Sequence, residues 1–131
     1  MSRENVEIVR RSYDAYVRGN LGSALAAFDP DVVACDHDIP DSGEYSGLDG
    51  LFRWQADWES GWESWRWDPE EFIEAGEGVV AVLRVYARGR QSGVDVERVD
   101  GAVWTLRDGK CIRLDYYGRR AEALEAAGLR E

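Results

Sequence analysis

The sequence predicts a single α+β domain over residues 1–131, with helices first and mainly antiparallel strands after them. Helical spacing of apolar residues dominates the first part of the chain, and alternation with period two dominates the second. Asp108-Gly109 separates two alternating runs, which is the strongest short signal for a β-hairpin. Six Trp, six Tyr and three Phe in 131 residues are enough for a core without disulfides or structural metal.

The first thirty residues predict two helices. Ser2 is a candidate N-cap of the first helix, and Gly19 stands where a helix C′ residue belongs. Asn20 can cap a short second helix, which Pro30 ends. The apolar positions recur at steps of three and four: Val6, Val9, Tyr13, Tyr16 and Val17 in the first helix, and Leu21, Ala24, Leu25 and Phe28 in the second.

The next elements are a strand, a loop and a third helix. Residues 32–38 read as a strand in which Asp36 shares a face with Val32. Residues 39–45 have loop chemistry, and the Asp41–Tyr45 part of this loop is a candidate lip over a pocket. Residues 46–49 have the form of a capping box. The third helix that follows has an apolar face composed of Leu48, Leu51, Trp54, Trp58 and Trp62.

The second half of the chain predicts four antiparallel strands and a terminal helix. Pro69 restricts the strand of residues 65–73 to an edge or a bulge. Glycine-containing turns then separate strands at residues 79–88 and 94–106, and a helix at residues 120–127 is closed by Gly128. In the hairpin, one face should be buried: Ala102, Trp104, Leu106, Ile112, Leu114 and Tyr116.

The other face of the hairpin carries an apolar patch among polar neighbours. Val103 and Tyr117 lie there beside Thr105 and Asp115. Such a patch fits an interface with a second copy better than bare solvent. We therefore expect a homodimer through the outer sheet face.

The net charge, the N-terminal sequence and the cysteines limit which binding partners and which cellular compartment are expected. With 26 acidic and 16 basic residues the net charge is −10, which disfavours nucleic acid and anionic membranes. The N-terminus shows no apolar signal segment, so a cytoplasmic protein is expected. Cys35 and Cys111, which fit no framework or metal spacing, are expected to be buried free thiols.

The order of elements and four local motifs resemble the nuclear transport factor two-like superfamily, in its SnoaL-like polyketide cyclase and ketosteroid isomerase-like branches. The motifs end helix one, enter the first strand, form the hairpin and end the chain: Tyr13-Asp14-Ala15-Tyr16-Val17-Arg18-Gly19-Asn20-Leu21, Phe28-Asp29-Pro30-Asp31-Val32, Trp104-Thr105-Leu106-Arg107-Asp108-Gly109-Lys110 and Ala121-Glu122-Ala123-Leu124-Glu125-Ala126-Ala127-Gly128-Leu129. The resemblance implies a cystatin-like α+β roll. In this roll a strongly bent, mixed or antiparallel sheet wraps around the N-terminal helices as a cone with an apolar pocket.

The resemblance also suggests one catalytic residue, and it shows that two other catalytic positions of the isomerases are occupied here by unsuitable residues. In the resembling isomerases the residue at the place of Asp36 is the general base, and desolvation among Trp and Leu side chains would raise the pKa of that carboxyl. The oxyanion-binding Tyr and acid of those isomerases fall here at Ser12 and Ala102, which cannot do that work. Tyr16 and Asp100 are the nearby candidates for stabilising charge, and steroid isomerisation is not expected.

The candidate ligand-binding residues are mostly aromatic. A helical stripe of indoles is typical of plain core, yet three on one helix exceed what a small core readily packs. The only histidine should point away from the pocket face, at the surface or an interface, unless a bulge turns it inward. The set for an apolar or aromatic small molecule is Tyr13, Trp54, Trp58, Trp62, Trp104, Tyr116 and His37.

Two classes of function stay open on the sequence. The first is a cofactor-independent isomerase, cyclase or dehydratase that uses Asp36 as acid or base; the second is a non-catalytic ligand-binding or dimerisation module. No metal site is predicted, since one His cannot complete a zinc set. The arginines of the central hairpin, Arg84, Arg88, Arg90 and Arg98, are explained by cross-strand ion pairs. An Arg paired with Asp36 or Asp100 would instead resemble the Asp–Arg–Asp arrangement of epoxide hydrolases.

Overall fold

The computed structural model describes residues 2–39 and 43–129, with four helices and six strands in that part of the chain. In chain order they are α1 (Ser2–Val17), α2 (Leu21–Leu25), β1 (Phe28–Asp36), β2 (Gly43–Ser46), α3 (Gly47–Ser60), β3 (Trp62–Ala75), β4 (Gly78–Gly89), β5 (Asp95–Arg107), β6 (Lys110–Tyr117) and α4 (Arg120–Ala126). None of these helices has the length and apolar character needed to cross a bilayer.

The six strands form one open, curled sheet in the order β2-β1-β6-β5-β4-β3. Only β1 and β6 run parallel, so the sheet is mixed. Bulges bend the long strands, including one at Pro69 where edge strand β3 meets β4. The predicted α+β class with a strongly bent sheet around the helices is confirmed.

The concave side of the sheet holds the main core. Val9 and Tyr13 of α1 pack there against the inner residues of β4, β5 and β6, with Trp104 and Tyr116 almost fully buried. On the convex side, α4 places Ala123 and Leu124 against Val103 and Tyr117. Helix α4 therefore accounts for part of the apolar patch that predicted a dimer interface.

The β5–β6 hairpin forms around Asp108-Gly109 as predicted. Both turn residues have positive φ, 50° and 76°, as a type I′ turn requires. The prediction of the buried face is wrong at one residue. A bulge after Thr105 pairs Leu106 with Cys111, so Cys111 is fully buried in the core row while Ile112 is only partly buried. Both cysteines are buried and free, as predicted.

The first strand and the loop after it differ from the prediction. Strand β1 begins at Phe28 rather than Val32, because Pro30 falls where the pairing of β1 with β6 is irregular and no ladder hydrogen bond is required of it. Residues 43–45, predicted as loop, form β2 against β1 together with Ser46. The segment becomes a strand because it pairs with β1, and its polar composition alone does not predict a strand. The rest of the predicted lip, residues 41 and 42, lies outside the described residues.

Four further details concern the helices. Asn20 caps α2 as predicted, its side chain accepting from the Ser23 N–H at 3.2 Å. Ser46 precedes α3 without a side-chain capping bond, so the capping box is not formed. Trp62 opens β3 instead of completing the apolar face of α3, since α3 ends at Ser60. Val17 is 57% exposed rather than part of the buried face of α1.

Candidate functional site

Two neighbouring hollows have Trp54 and Trp58 of α3 in the walls of both. The first, which we call the apolar cavity, has a volume of about 100 Å³. Its walls are almost entirely aromatic and aliphatic and come from α1, α2, α3 and the sheet. The predicted ligand residues in these walls are Tyr13, Trp54, Trp58, Trp104 and Tyr116, and the predicted catalytic residue Tyr16 lies there as well.

The second hollow, which we call the acidic pocket, has a volume of about 210 Å³. It combines carboxylates, one guanidinium and aromatic rings, and it includes the predicted residues Asp36 and Trp62. Its lining is Asp36, Asp38, Ile39, Tyr45, Trp54, Asp57, Trp58, Gly61, Trp62 and Arg98. The alternation of β1 predicts the inward direction of Asp36, because Val32 and Ala34 on the same face are fully buried.

Asp36 is held as a hydrogen-bond acceptor at the end of β1, where it is 2% exposed. The indole Nε1 of Trp54 donates to Oδ2 at 2.8 Å, and the backbone N–H of Asp38 donates to Oδ1 at 3.0 Å. Burial raises the pKa of Asp36, and these two donors offset part of the rise because they favour the carboxylate. The result is a desolvated carboxylate in the wall of a pocket.

Beside Asp36, Arg98 of β5 lies between two aspartates. Its Nη2 is 2.6 Å from Oδ2 of Asp38, and its Nε is 2.7 Å from Oδ1 of Asp100. Asp100 is fully buried and also accepts a hydrogen bond from the Tyr116 hydroxyl. The guanidinium is therefore fixed in position with its charge matched by two carboxylates.

Sequence reasoning favoured surface ion pairs for Arg98 and kept an Arg paired with Asp36 or Asp100 as the alternative; the pair with Asp100 is the one that forms. Arg84 and Arg88 do form surface ion pairs, with Glu70 and Asp95 among their partners. Arg98 differs because it shares the strand parity of Asp100, which is the signal that could have separated it from the others. Its contact with Asp38 spans 60 residues of sequence and could not be read from any local pattern.

Tyr45 and Asp57 complete the acidic pocket and were also missed. The Tyr45 hydroxyl donates to Oδ2 of Asp57 at 2.7 Å. Burial raises the pKa of Tyr45 to about 12, and the neighbouring carboxylate contributes to the rise. Tyr45 lies on β2, the strand that the sequence did not predict.

Three further predicted site residues do not line the acidic pocket. Tyr16 is in the wall of the apolar cavity, where burial raises its pKa. Asp100 lines neither hollow and lies behind Arg98. His37 is on the opposite side of β1, with its Nε2 2.9 Å from Oδ1 of Asp115 and its ring stacked on Tyr117. The bulge that would turn His37 inward is not formed.

Ser12 and Ala102, at the positions that bind an oxyanion in the resembling isomerases, have structural roles in this protein. Ser12 donates to the backbone oxygen of Ala24 at 2.9 Å, and Ala102 is fully buried in the sheet. Other donors are available instead. The Nε1 atoms of Trp58 and Trp67 are buried and have no hydrogen-bond partner among the described residues. Both rings line the apolar cavity, so a ligand oxygen could satisfy them.

One group of residues in the described part of the chain has the composition of a metal site. Cys35, His37 and Asp115 lie within 4.8 Å of one another on the convex side. The Arg113 guanidinium donates to the Cys35 thiol at 3.3 Å and to Asp115 at 3.1 Å. A protein cation thus already satisfies this cluster.

Comparison with known structures identifies the fold. An NTF2-like protein of unknown function from Burkholderia pseudomallei is 26% identical and covers 93% of this chain and 95% of its own, with a TM-score of 0.76. TerC, co-crystallised with polyporic acid, is 23% identical over 95% of this chain and 98% of its own, with a TM-score of 0.77. A protein from Catenulispora acidiphila with a ketosteroid isomerase-like fold, in complex with trimethylamine, is 18% identical over 94% and 93%, with a TM-score of 0.72.

Sequence comparison identifies the family. No curated protein sequence matches the chain significantly. The profile of the SnoaL-like domain matches residues 9–114, which include most of both hollows and the whole of β1 to β5. The chain therefore belongs to the SnoaL-like family and has its NTF2-like cone fold.

Proposed function

We propose that this protein is a small-molecule enzyme in which Asp36 transfers a proton on a largely apolar or aromatic substrate, without a cofactor. The observation that carries the proposal is the placement of Asp36: a desolvated carboxylate, held by two donors, in the wall of an open pocket. A carboxylate shielded from water is a stronger base than the same group in solution.

The surrounding residues have distinct roles in this proposal. The aromatic walls shared by the two hollows bind the body of the substrate. Arg98, fixed by Asp38 and Asp100, lies in the pocket wall, where its N–H groups can donate to an uncharged oxygen of the substrate and orient it. Trp58 and Trp67 offer unpaired donors for a substrate oxygen. That TerC was co-crystallised with polyporic acid is in keeping with a small organic ligand in this fold.

The alternative is a module that binds a ligand or a second copy without chemistry. Tryptophans that filled the hollow completely would favour it. The pocket beside Asp36 is open instead, with a volume of about 210 Å³, and the carboxylate at its wall is buried and hydrogen-bonded. These two facts favour the enzyme.

A second candidate reaction is the hydration of an epoxide. The observation that favours it is the Asp38–Arg98–Asp100 arrangement, with both carboxylates within 2.7 Å of the guanidinium. In such a reaction water would attack an epoxide carbon and give a proton to Asp38, which lines the pocket, while protonated Asp36 would give a proton to the epoxide oxygen as the C–O bond breaks. Formation of the diol from styrene oxide, lost in Asp38→Asn, would favour this reaction over the first.

The Kemp elimination of 5-nitrobenzisoxazole tests whether Asp36 acts as a base in a pocket. The base removes the proton on C3, the N–O bond breaks, and a coloured cyanonitrophenolate forms. Asp36→Asn keeps the size of the side chain and removes the base. We expect it to lower the rate by about 100-fold or more, which is the usual contribution of general base catalysis.

The matched control is Asp14→Asn, since Asp14 is exposed on α1 away from both hollows. This variant should keep the wild-type rate. Far-ultraviolet circular dichroism should show both variants folded. A wild-type rate no faster than free acetate, or an Asp36→Asn rate equal to wild type, contradicts the proposal.

A further inference from the structure

We infer that the acidic pocket selects a ligand that carries a positively charged ammonium group, preferably quaternary, on an aromatic or apolar body. The inference rests on the proposed function, because it specifies the ligand of the same site. It follows from the charge of the pocket, from its aromatic walls and from the cavity beside it.

The charge of the pocket is unbalanced. Asp36, Asp38 and Asp57 line it, and Arg98 is the one cationic side chain among its described lining residues. Arg98 does not neutralise the excess, since Asp38 and the buried Asp100 already match its charge.

Asp36 and Asp57 therefore lack a cationic partner. Neither forms an ion pair with any residue in the described ranges 2–39 and 43–129. Their hydrogen-bond donors are neutral: the Trp54 indole and a backbone N–H for Asp36, and the Tyr45 hydroxyl for Asp57. Arg53, one helical turn before Asp57, is exposed and does not line the pocket. Asp57 is exposed and hydrated, whereas Asp36 is buried, so a positive ligand would supply a counter-charge chiefly to Asp36 and a second attraction to Asp57.

The walls of the pocket are suited to a cation that is poorly hydrated. Trp54, Trp58, Trp62 and Tyr45 all line it, and a ring face attracts a cation through its quadrupole. The Trp58 and Trp62 rings meet at an angle of 52° with centroids 5.7 Å apart, so they form two sides of a corner. The Arg98 guanidinium already lies 5.9 Å from the centre of the Trp58 ring.

Other ligand charges fit this pocket less well. An anion would meet two unmatched carboxylates at once. A small hydrated metal ion prefers oxygen ligands to indole faces, and aromatic rings form much of this wall. A quaternary ammonium spreads its charge over methyl groups, packs against rings and needs no hydrogen bonds.

The neighbouring cavity provides room for the rest of the ligand. Trp54 and Trp58 belong to the walls of both hollows, so a molecule that reaches from one into the other passes these two rings. Other walls of the apolar cavity are formed by side chains such as Leu21, Phe28 and Leu114. A cationic head in the acidic pocket and an apolar body in the cavity would therefore match both environments.

A pair of isosteric probes tests the inference: (3-hydroxyphenyl)trimethylammonium and 3-tert-butylphenol, which differ in charge and hardly in shape. Binding is measured by calorimetry at low salt, with tryptophan fluorescence as a second readout. We expect the ammonium probe to bind about tenfold more tightly than the neutral probe. Added salt should reduce the difference because it screens the carboxylates.

Asp57→Asn removes one unmatched charge and retains an oxygen that accepts the Tyr45 hydroxyl. It should reduce the preference for the ammonium probe several-fold, while the exposed-site control Asp14→Asn should leave it unchanged. No detectable binding of the ammonium probe, equal or tighter binding of 3-tert-butylphenol, or a preference that Asp57→Asn leaves intact overturns the inference.

These outcomes are separable from those of the Kemp assay. A neutral-ligand preference in a protein whose Kemp activity depends on Asp36 refutes the ammonium ligand alone. An ammonium preference in a protein without Kemp activity refutes the proposed proton transfer alone.

Discussion

Replacing Tyr116 by Phe removes one oxygen atom from a hydrogen bond whose two side chains are both almost completely buried. Tyr116 is 1% exposed, Asp100 is 0% exposed, and the tyrosine hydroxyl donates to the Asp100 carboxylate. In the variant, Arg98 remains as the only charged partner of Asp100 in the described part of the chain. The variant thus isolates the contribution of a single donor to a buried charge.

The expected loss follows from the charge of the acceptor. A hydrogen bond to an ionised group contributes about 1.5–3 kcal/mol, so Tyr116→Phe should lower the free energy of unfolding by about 2 kcal/mol where Asp100 is ionised. Burial raises the pKa of Asp100, whereas the Tyr116 hydroxyl and Arg98 lower it. Removing the hydroxyl therefore raises this pKa further, and the stability loss should shrink as the pH falls and Asp100 becomes protonated.

Urea denaturation of wild type and variant at a series of pH values measures this loss. Tyr13→Phe is the matched control, because the Tyr13 hydroxyl is also buried but accepts from the neutral Trp104 indole at 3.1 Å. That variant should lose about 1 kcal/mol at every pH in the series. A loss below about 0.5 kcal/mol for Tyr116→Phe, or one with the same flat pH profile as Tyr13→Phe, would refute the reasoning.

Two further predictions concern packing and assembly. Gly101→Ala should lower the free energy of unfolding by about 1–3 kcal/mol in a urea titration, because the added Cβ would overlap the Ala123 Cβ and push α4 off the sheet. The control Gly22→Ala, whose added Cβ would have no atom closer than 3.9 Å, should cause no loss in the same titration. We propose a homodimer through the part of the outer sheet face that α4 leaves free, and light scattering should then give twice the chain mass of 14.8 kDa, whereas a monomer at micromolar concentration would contradict it.

The parts of the fold that were predicted correctly rest on local patterns. The alternation of β1 places Asp36 on the buried side with Val32, whatever the strand pairs with. The Asp108-Gly109 turn forms because the two residues themselves tolerate positive φ. Such features depend on residues within a few positions of each other, so the sequence contains the information needed.

The errors rest on pairing between distant segments. Strand β2 is too short and polar to be recognised alone, and it forms because β1 offers it an unpaired edge. Cys111 replaces Ile112 in the core row because a bulge shifts the pairing of β5 with β6. Neither feature can be predicted from a short stretch of sequence, because each depends on pairing with another strand.

The amino-acid order by itself determined the fold class, the hairpin, the inward direction of Asp36 and the abundance of aromatic rings near it. Only the tertiary structure decided what surrounds that carboxylate. Arg98, Asp57 and Tyr45 reach the acidic pocket from three elements that meet when the sheet curls around α3. The charge of a site is the sum over side chains that folding brings together, and local sequence fixes only the direction in which each of them points.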